Sequence, residues 1–553
     1  MRRLPFLPVL VCLLGLIACT PATTPDLVLH GGRIITLDDD ERGDATALVI
    51  RAGRIVDITD DTSALATVGG LTRVVDLAGA VVIPGLADSH CHLQGLGKAL
   101  SQIDLNDTPS AAACVELVAE VAGAGTGWIE GRGWDQNDWE DTTYPHRELL
   151  DTVTGDRPCL LRRVDGHAAW ANSIALANAG IDRDTPDPDG GRILKDEAGE
   201  PTGILIDNGV DLVRVIIPAP DQDEVRRRVL LAQEHCLAHG LTAVHDAGVS
   251  WEDAQLYEQM TRTGELVLRY YGMLTDEPES LDPGLAAGPR SARDQLFTLR
   301  TVKLYADGAL GSRGALLLAD YTDQPDQRGL AVTPGYHLSD VCRRAGRAGF
   351  QVGTHAIGDA ANRQVLDIYA EVCGELGLQD HRWRVEHAQI LDPADIPRFG
   401  ELGVIAAMQP VHCTSDMDWA GERLGEERLA GAYAWRSLLD AGAHVCSGTD
   451  FPVEKVSALA GLYASRTRTH PDGTPLGGWQ PQEKLDGRTA LELYTAGSAY
   501  AAFMEHELGR IKAGYRADLT VLDGDPVDGA AEDLLTMQVL MTVVDGRVVF
   551  EVP

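Results

Sequence analysis

Five side chains in this sequence can ligate a divalent cation, and each closes a short apolar run. His90 and His92 stand at i and i+2 in Asp88-Ser-His-Cys-His-Leu93. A β-strand alternates faces at every residue, so both imidazoles would point one way and Cys91 the other. His355 ends Gln351-Val-Gly-Thr-His355, His387 ends Arg384-Val-Glu-His387, and Asp450 ends Cys446-Ser-Gly-Thr-Asp450. Taken singly, each is as compatible with a core or hydrogen-bonding role. Four imidazoles and a carboxylate at the same end of successive runs converge on one point. That donor set suits Zn2+, and also Mn2+, Fe2+ or Ni2+. The chemistry it offers is hydrolysis, because water on such an ion ionises near pH ~7 instead of ~15.7.

Lys303 adds to the set. The chain has 41 Arg but only six Lys, and this one lies inside the apolar run Thr301-Val-Lys-Leu-Tyr305. Burial disfavours its charge, and a neutral amine can take up CO2 as a carbamate, which would bridge two ions as a carboxylate does. The alternative is a charged lysine paired with Asp307.

These residues need a scaffold that brings strand ends together. Eight candidate strands occupy the middle of the chain: Val81–His92, Leu241–Ala247, Val267–Met273, Thr301–Asp307, Phe350–Ile357, Trp383–Gln389, Val404–Gln409 and His444–Asp450. Alternation with helical stretches predicts an α/β fold, a (β/α)8 TIM barrel over 81–504 with its site at the C-terminal strand ends. Short β-type runs such as Leu27-Val28-Leu29 and Ala47-Leu48-Val49-Ile50 recur near the other end as Leu519-Thr520-Val521-Leu522 and Val539–Val544. They predict a small β-sandwich domain built from both termini, 26–80 with 505–553. A large insertion follows the first barrel strand. Its segment 95–225 is too long for a connection and is expected to form a lid or substrate subdomain.

The N-terminus has its own character. Arg2 and Arg3 precede an apolar stretch, Val9–Ile17, too short to span a bilayer. Leu16-Ile17-Ala18-Cys19 resembles the lipobox of bacterial lipoproteins. The resemblance implies a signal peptide over 1–18, a lipidated Cys19, and a tether over 19–25. It places the protein in the bacterial cell envelope on the periplasmic side, with membrane attachment through that lipid alone. Thr20 in place of Asp favours the outer membrane; an ordinary signal peptide is the alternative. A net charge of −36 excludes nucleic acid as a partner, since phosphates need a basic surface. The eight cysteines that follow Cys19 show no CxxC pairing and no disulfide framework. A homo-oligomer is left open.

His90-x-His92, Lys303, His355, His387 and Asp450, in this order, resemble the metal-ligand pattern of the amidohydrolase superfamily. Pro84-Gly-Leu-Ala-Asp-Ser-His90, Lys303–Arg313, His355-Ala-Ile-Gly-Asp359, Arg384-Val-Glu-His387 and Ser447–Val453 narrow this to amidohydrolase family 3, the YtcJ-like and N-substituted formamide deformylase branch. The similarity covers nearly all of the mature chain. It implies a metal-dependent hydrolase of non-peptide C–N bonds, acting on a small N-substituted amide or formamide. The cofactor implied is one or two divalent ions, Zn2+ foremost. Asp450 would bind metal, take a proton from the attacking hydroxide, and return it to the leaving nitrogen. Glu386, Asp359 and Asp246 are candidates for orienting imidazoles, and His245 for a supporting rather than a ligating role. Trp134, Asp135, His167 and Arg313 are candidate substrate contacts, with packing or structural hydrogen bonding as the alternative. The segment His412–Leu429 is polar enough to form a mobile flap. Cyclic-amide hydrolysis, deamination or isomerisation on the same scaffold is a rival reading. A non-catalytic solute-binding envelope lipoprotein is another.

Overall fold

The computed structural model describes residues 24–39, 44–123, 127–293 and 295–553. The expected signal peptide, Cys19 and most of the tether lie outside the described residues. Eight parallel strands curl into a nearly closed barrel: β1 Leu86–Cys91, β2 Leu241–Val249, β3 Arg269–Leu274, β4 Phe297–Tyr305, β5 Gln351–Ala356, β6 Arg384–His387, β7 Ile405–Met408 and β8 His444–Ser447. Each pairs in parallel with the next, from Leu86 against Leu241 round to Met408 against Ser447. Where β8 returns to β1, backbone bonds join the strand ends, Asp450 N–H to His90 O at 2.8 Å and His92 N–H to Phe451 O at 2.9 Å. The seam of the barrel therefore runs through three of the expected ligands.

The first apolar run divides between two sheets. Val81–Pro84 pairs with Arg33–Ile34 and Leu519–Leu522 in the terminal domain, and only Leu86–Cys91 enters the barrel. Gly85 makes the crossing, and a Cβ there would lie 2.3 Å from Thr242 Oγ1. Nothing in the hydropathy marks this division, because both halves are buried.

The terminal domain is a sandwich of a four-stranded and a five-stranded sheet. Leu27, Leu29, Leu48 and Ile50 face Val82, Leu519, Val521 and Val543 across its core. It is fastened to the barrel by buried polar contacts. Arg269 at the start of β3 forms a two-pronged pair with Asp518 at 2.8 and 3.1 Å, and the Thr520 hydroxyl donates to Gly240 O at 2.7 Å.

The insertion carries its own six-stranded sheet, from Ile103–Asp104 to Gly191–Lys195, and its own core around Trp134, Trp139 and Trp170. It leaves the barrel through the helix Leu93–Ser101 and returns through Gln222–Ala238. The first buries Leu93, Leu96 and Gly97, one stripe at helical spacing. A Cβ on Gly97 would lie 2.0 Å from the Arg228 carbonyl oxygen, so the two helices touch backbone to backbone. Gly97→Ala is expected to destabilise the protein by about 1–3 kcal/mol through overpacking; an unchanged urea midpoint would refute this close contact.

All eight described cysteines are buried free thiols. Among the described residues, no helix is long and apolar enough to cross a membrane.

Candidate active site

The strand ends deliver the expected side chains to one cavity of about 440 Å³ at the barrel mouth, lined by His90, His92, Lys303, His355, His387 and Asp450 among others. His90, His387 and Asp450 present ligand atoms within 4.8 Å of one another. His92 Nε2 lies 3.2 Å and His90 Nε2 3.7 Å from Asp450 Oδ1. The His355 and His387 rings are 4.5 Å apart between centroids. His387, the last residue of β6, and Asp450, three residues beyond β8, both have left-handed backbones, φ 75° and 60°. Such turns cost on the order of 1 kcal/mol each and persist where the surroundings impose them.

Partners on the far side of each ring fix its orientation. His90 Nδ1 meets Glu386 Oε2 at 2.5 Å, and His387 Nδ1 meets Gln409 Oε1 at 2.7 Å. Each pairing uses Nδ1 and leaves Nε2 for the cavity. Burial, reinforced by the Lys303 charge, pushes the His90 imidazolium down to about 4 and that of His355 to about 3. Both rings are therefore neutral at pH 7, as a ligand must be. Burial would raise the Asp450 carboxyl, but the imidazoles of His92, His90, His387 and His412 outweigh it and hold the group ionised.

The residues fit a cation on a further observation: His355 Nε2 and Asp450 Oδ1 are buried polar atoms with no hydrogen-bond partner. Orphaned donors and acceptors of this kind are costly unless something completes them. Gln409→Leu is expected to weaken metal binding by roughly 10–100-fold, because the His387 ring loses its anchor; metal content after dialysis against graded chelator measures it.

Lys303 is buried with Nζ 3.4 Å from His90 Nε2 and over the Tyr305 ring. Burial pushes it down to about 8. Asp307, the alternative partner, is engaged elsewhere: its carboxylate accepts from Leu316, Ile357 and Gly358 backbone N–H groups. Asp246 accepts from Leu93 N–H and the Tyr270 hydroxyl, pinning the turn after His92 instead of a ring. Asp359 accepts from Leu318 and Ala360 N–H and likewise touches no imidazole. His245 Nδ1 lies 3.0 Å from the Arg384 guanidinium, among the side chains inside the barrel.

The four candidate substrate contacts lie elsewhere. Trp134 is fully buried in the core of the insertion and donates to Leu161 O, Asp135 pairs with Arg163, and His167 pairs with Asp207. Arg313 pairs with Asp323. None of the four lines the cavity. The expected flap is the helix Pro410–Leu424, followed by the 3-10 turn Glu426–Gly431. His412, Asp416 and Trp419 face the cavity while Cys413, Thr414, Met417 and Ala420 are buried against the body of the protein. His412, Asp416, Trp419 and Glu454 line the cavity and were not foreseen. The spacing of the first three, i, i+4 and i+7, was the available signal.

Residues 73–550 match the amidohydrolase family. The chain belongs to this family. It is 34% identical over 539 residues to YtcJ of Bacillus subtilis (strain 168), covering 95% of this chain and 99% of that protein. It is 29% identical over 503 residues to the N-substituted formamide deformylase of Arthrobacter pascens, covering 87% of this chain and 90% of that enzyme. A crystal structure of an uncharacterized metal-dependent hydrolase from Pyrococcus furiosus superposes with a TM-score of 0.75 at 31% identity, covering 90% of this chain and 99% of that one. This amidohydrolase is thus a hydrolase of C–N bonds in small molecules, built on a metal-dependent scaffold.

Proposed function

We propose that this amidohydrolase cleaves the C–N bond of an N-substituted formamide or a closely related small amide. The observation that carries the reading is the meeting of His90, His387 and Asp450, ligand atoms turned to one point within 4.8 Å. The choice of formamide among C–N substrates rests on the relative from Arthrobacter pascens. His90, His92, His355, His387 and Asp450, with Lys303 as a carbamate, would hold one or two ions, zinc by the character of the donors. When bound, the metal supplies Lewis acidity toward the amide oxygen and a lowered pKa for water.

The side chains of the protein do the rest. Asp450 accepts the proton of the attacking water as its oxygen bonds to the formyl carbon. It then gives that proton to the nitrogen as the C–N bond breaks, leaving formate and an amine. Glu386 and Gln409 keep the His90 and His387 rings turned toward the reacting centre throughout. The rest of the placement is part of the same proposal: the chain is held in the bacterial envelope by lipid on Cys19, facing the periplasm.

The test is metal quantification followed by a panel of linear amides, N-formylamines and cyclic amides. Zinc at one or two equivalents, with the N-formylamines turned over fastest, is the expected result. Turnover confined to cyclic amides would replace this reading with ring opening. A purified chain free of transition metal would return it to a solute-binding protein.

A further inference from the structure

The walls of the cavity differ from its floor, and they describe the part of the substrate that is not cut. Along the helix Pro410–Leu424, His412, Asp416 and Trp419 follow one another on the cavity face. Asp416 is held in place. The Tyr433 hydroxyl donates to its Oδ2, and Gln389 Nε2 donates to that same oxygen at 3.0 Å and to the Tyr433 oxygen at 2.7 Å. Both bonds fall on Oδ2, which leaves Oδ1 for the cavity. Glu454, on the segment after Asp450, is steadied by the Ser415 hydroxyl donating to Oε1 at 2.7 Å. Trp419 and Tyr305 supply flat apolar surface beside these carboxylates.

Positive charge is missing from the same walls. Lys303, against His90 at the floor, is the one lysine or arginine among the lining residues. Arg313 and Arg423, on neighbouring segments, both pair with Asp323. A substrate carboxylate would find no free lysine or arginine at the mouth and would lie against two carboxylates.

We propose that the cavity selects amides whose nitrogen substituent is aromatic or apolar and carries a cationic group, an ammonium or guanidinium, bound by Asp416 and Glu454. Substituents bearing a carboxylate are rejected. The inference rests on the amide-hydrolysing reading above and adds the recognition of the substituent, on which that reading is silent. The Arg423 guanidinium already lies 5.6 Å from the centre of the Trp419 ring, so Trp419 serves as apolar surface beside the carboxylates and the cation is held by the carboxylates themselves. The net charge of −36 gives the approach to the mouth the same preference.

Three N-formylphenethylamines test it on the metal-loaded enzyme, with para-aminomethyl, para-ethyl or para-carboxy substituents. The aminomethyl compound is expected to exceed the ethyl compound in kcat/KM by about tenfold, and the carboxy compound to fall below both. Asp416→Asn and Glu454→Gln should each shrink the aminomethyl-to-ethyl ratio. Asp418→Asn, an outward position on the same helix, should leave it unchanged. A ratio near one in the wild type, or one untouched by both cavity variants, overturns the inference. If none of the three is hydrolysed, the formamide reading falls and calorimetric Kd values for the same compounds decide the matter. The aminomethyl compound must then bind about tenfold more tightly than the ethyl one; equal or immeasurable binding overturns the proposal.

Discussion

Asp450→Asn and Asp450→Ala are expected to lower kcat by roughly 10²–10⁴-fold, the usual contribution of a positioned acid–base group. The carboxylate is the only acidic side chain within the ligand set, and its Oδ1 faces the His92 and His90 Nε2 atoms at 3.2 and 3.7 Å, inside that set. Asparagine keeps the shape and tolerates the left-handed backbone at φ 60°, so a loss in that variant at full metal occupancy reports the missing proton acceptor. Alanine adds local strain at the same φ, and comparing the two variants separates strain from chemistry. The fold around the residue has other supports. Asp88 accepts from the Thr449 backbone and hydroxyl, and the Asp450 N–H bond to His90 O is a main-chain bond that either substitution retains. Circular dichroism and the melting temperature should therefore change little. A variant with wild-type turnover would end the assignment of Asp450 as the proton carrier.

Why the ligands could be found in the sequence, and the substrate wall could not, has a physical explanation. A strand end is marked locally: a few β-branched or small residues, then a polar residue where the barrel opens. Val385-Glu-His387 and Gly448-Thr-Asp450 carry that mark without any tertiary information. The barrel followed from the same marks repeated eight times. A cavity wall has no such mark, because Asp416 and Trp419 become neighbours of His387 only once the helix after β7 leans over the mouth. The polar look of His412–Leu429 pointed to a flap, whereas the buried stripe Cys413, Met417 and Ala420 makes it a packed helix. The reverse error befell Trp134. An aromatic in a Gly-rich segment resembled a ligand contact, yet its indole N–H is spent on Leu161 O within the core of the insertion. Position in a motif identifies a ligand; only packing identifies a wall.

The second large effect is expected behind the ligand set, at Arg384, which does not line the cavity. This guanidinium is fully buried inside the barrel and has three tasks. It pairs with Glu386 at 2.7 Å through Nε, donates to Ser89 O at 2.6 Å through Nη2, and meets His245 Nδ1 at 3.0 Å through Nη1. Burial would raise the Glu386 carboxyl, but Arg384 foremost and the His90 contact next bring it down to about 2. Arg384 therefore grips His90 twice, through the carbonyl just before it and through the carboxylate behind its ring. Arg384→Met would leave that carboxylate buried and unpaired, which costs about 3–5 kcal/mol. Lysine in its place could not reproduce the planar fork that reaches three partners at once. Adding Glu386→Gln to Arg384→Met removes the stranded charge and should recover part of the stability. It leaves His90 without its anionic anchor, so metal retention should stay impaired in the double variant. Urea unfolding midpoints and bound metal, measured on the same preparations, distinguish the two consequences. If Arg384→Met alone unfolds at the wild-type urea midpoint, the pair is not the electrostatic support of the metal site.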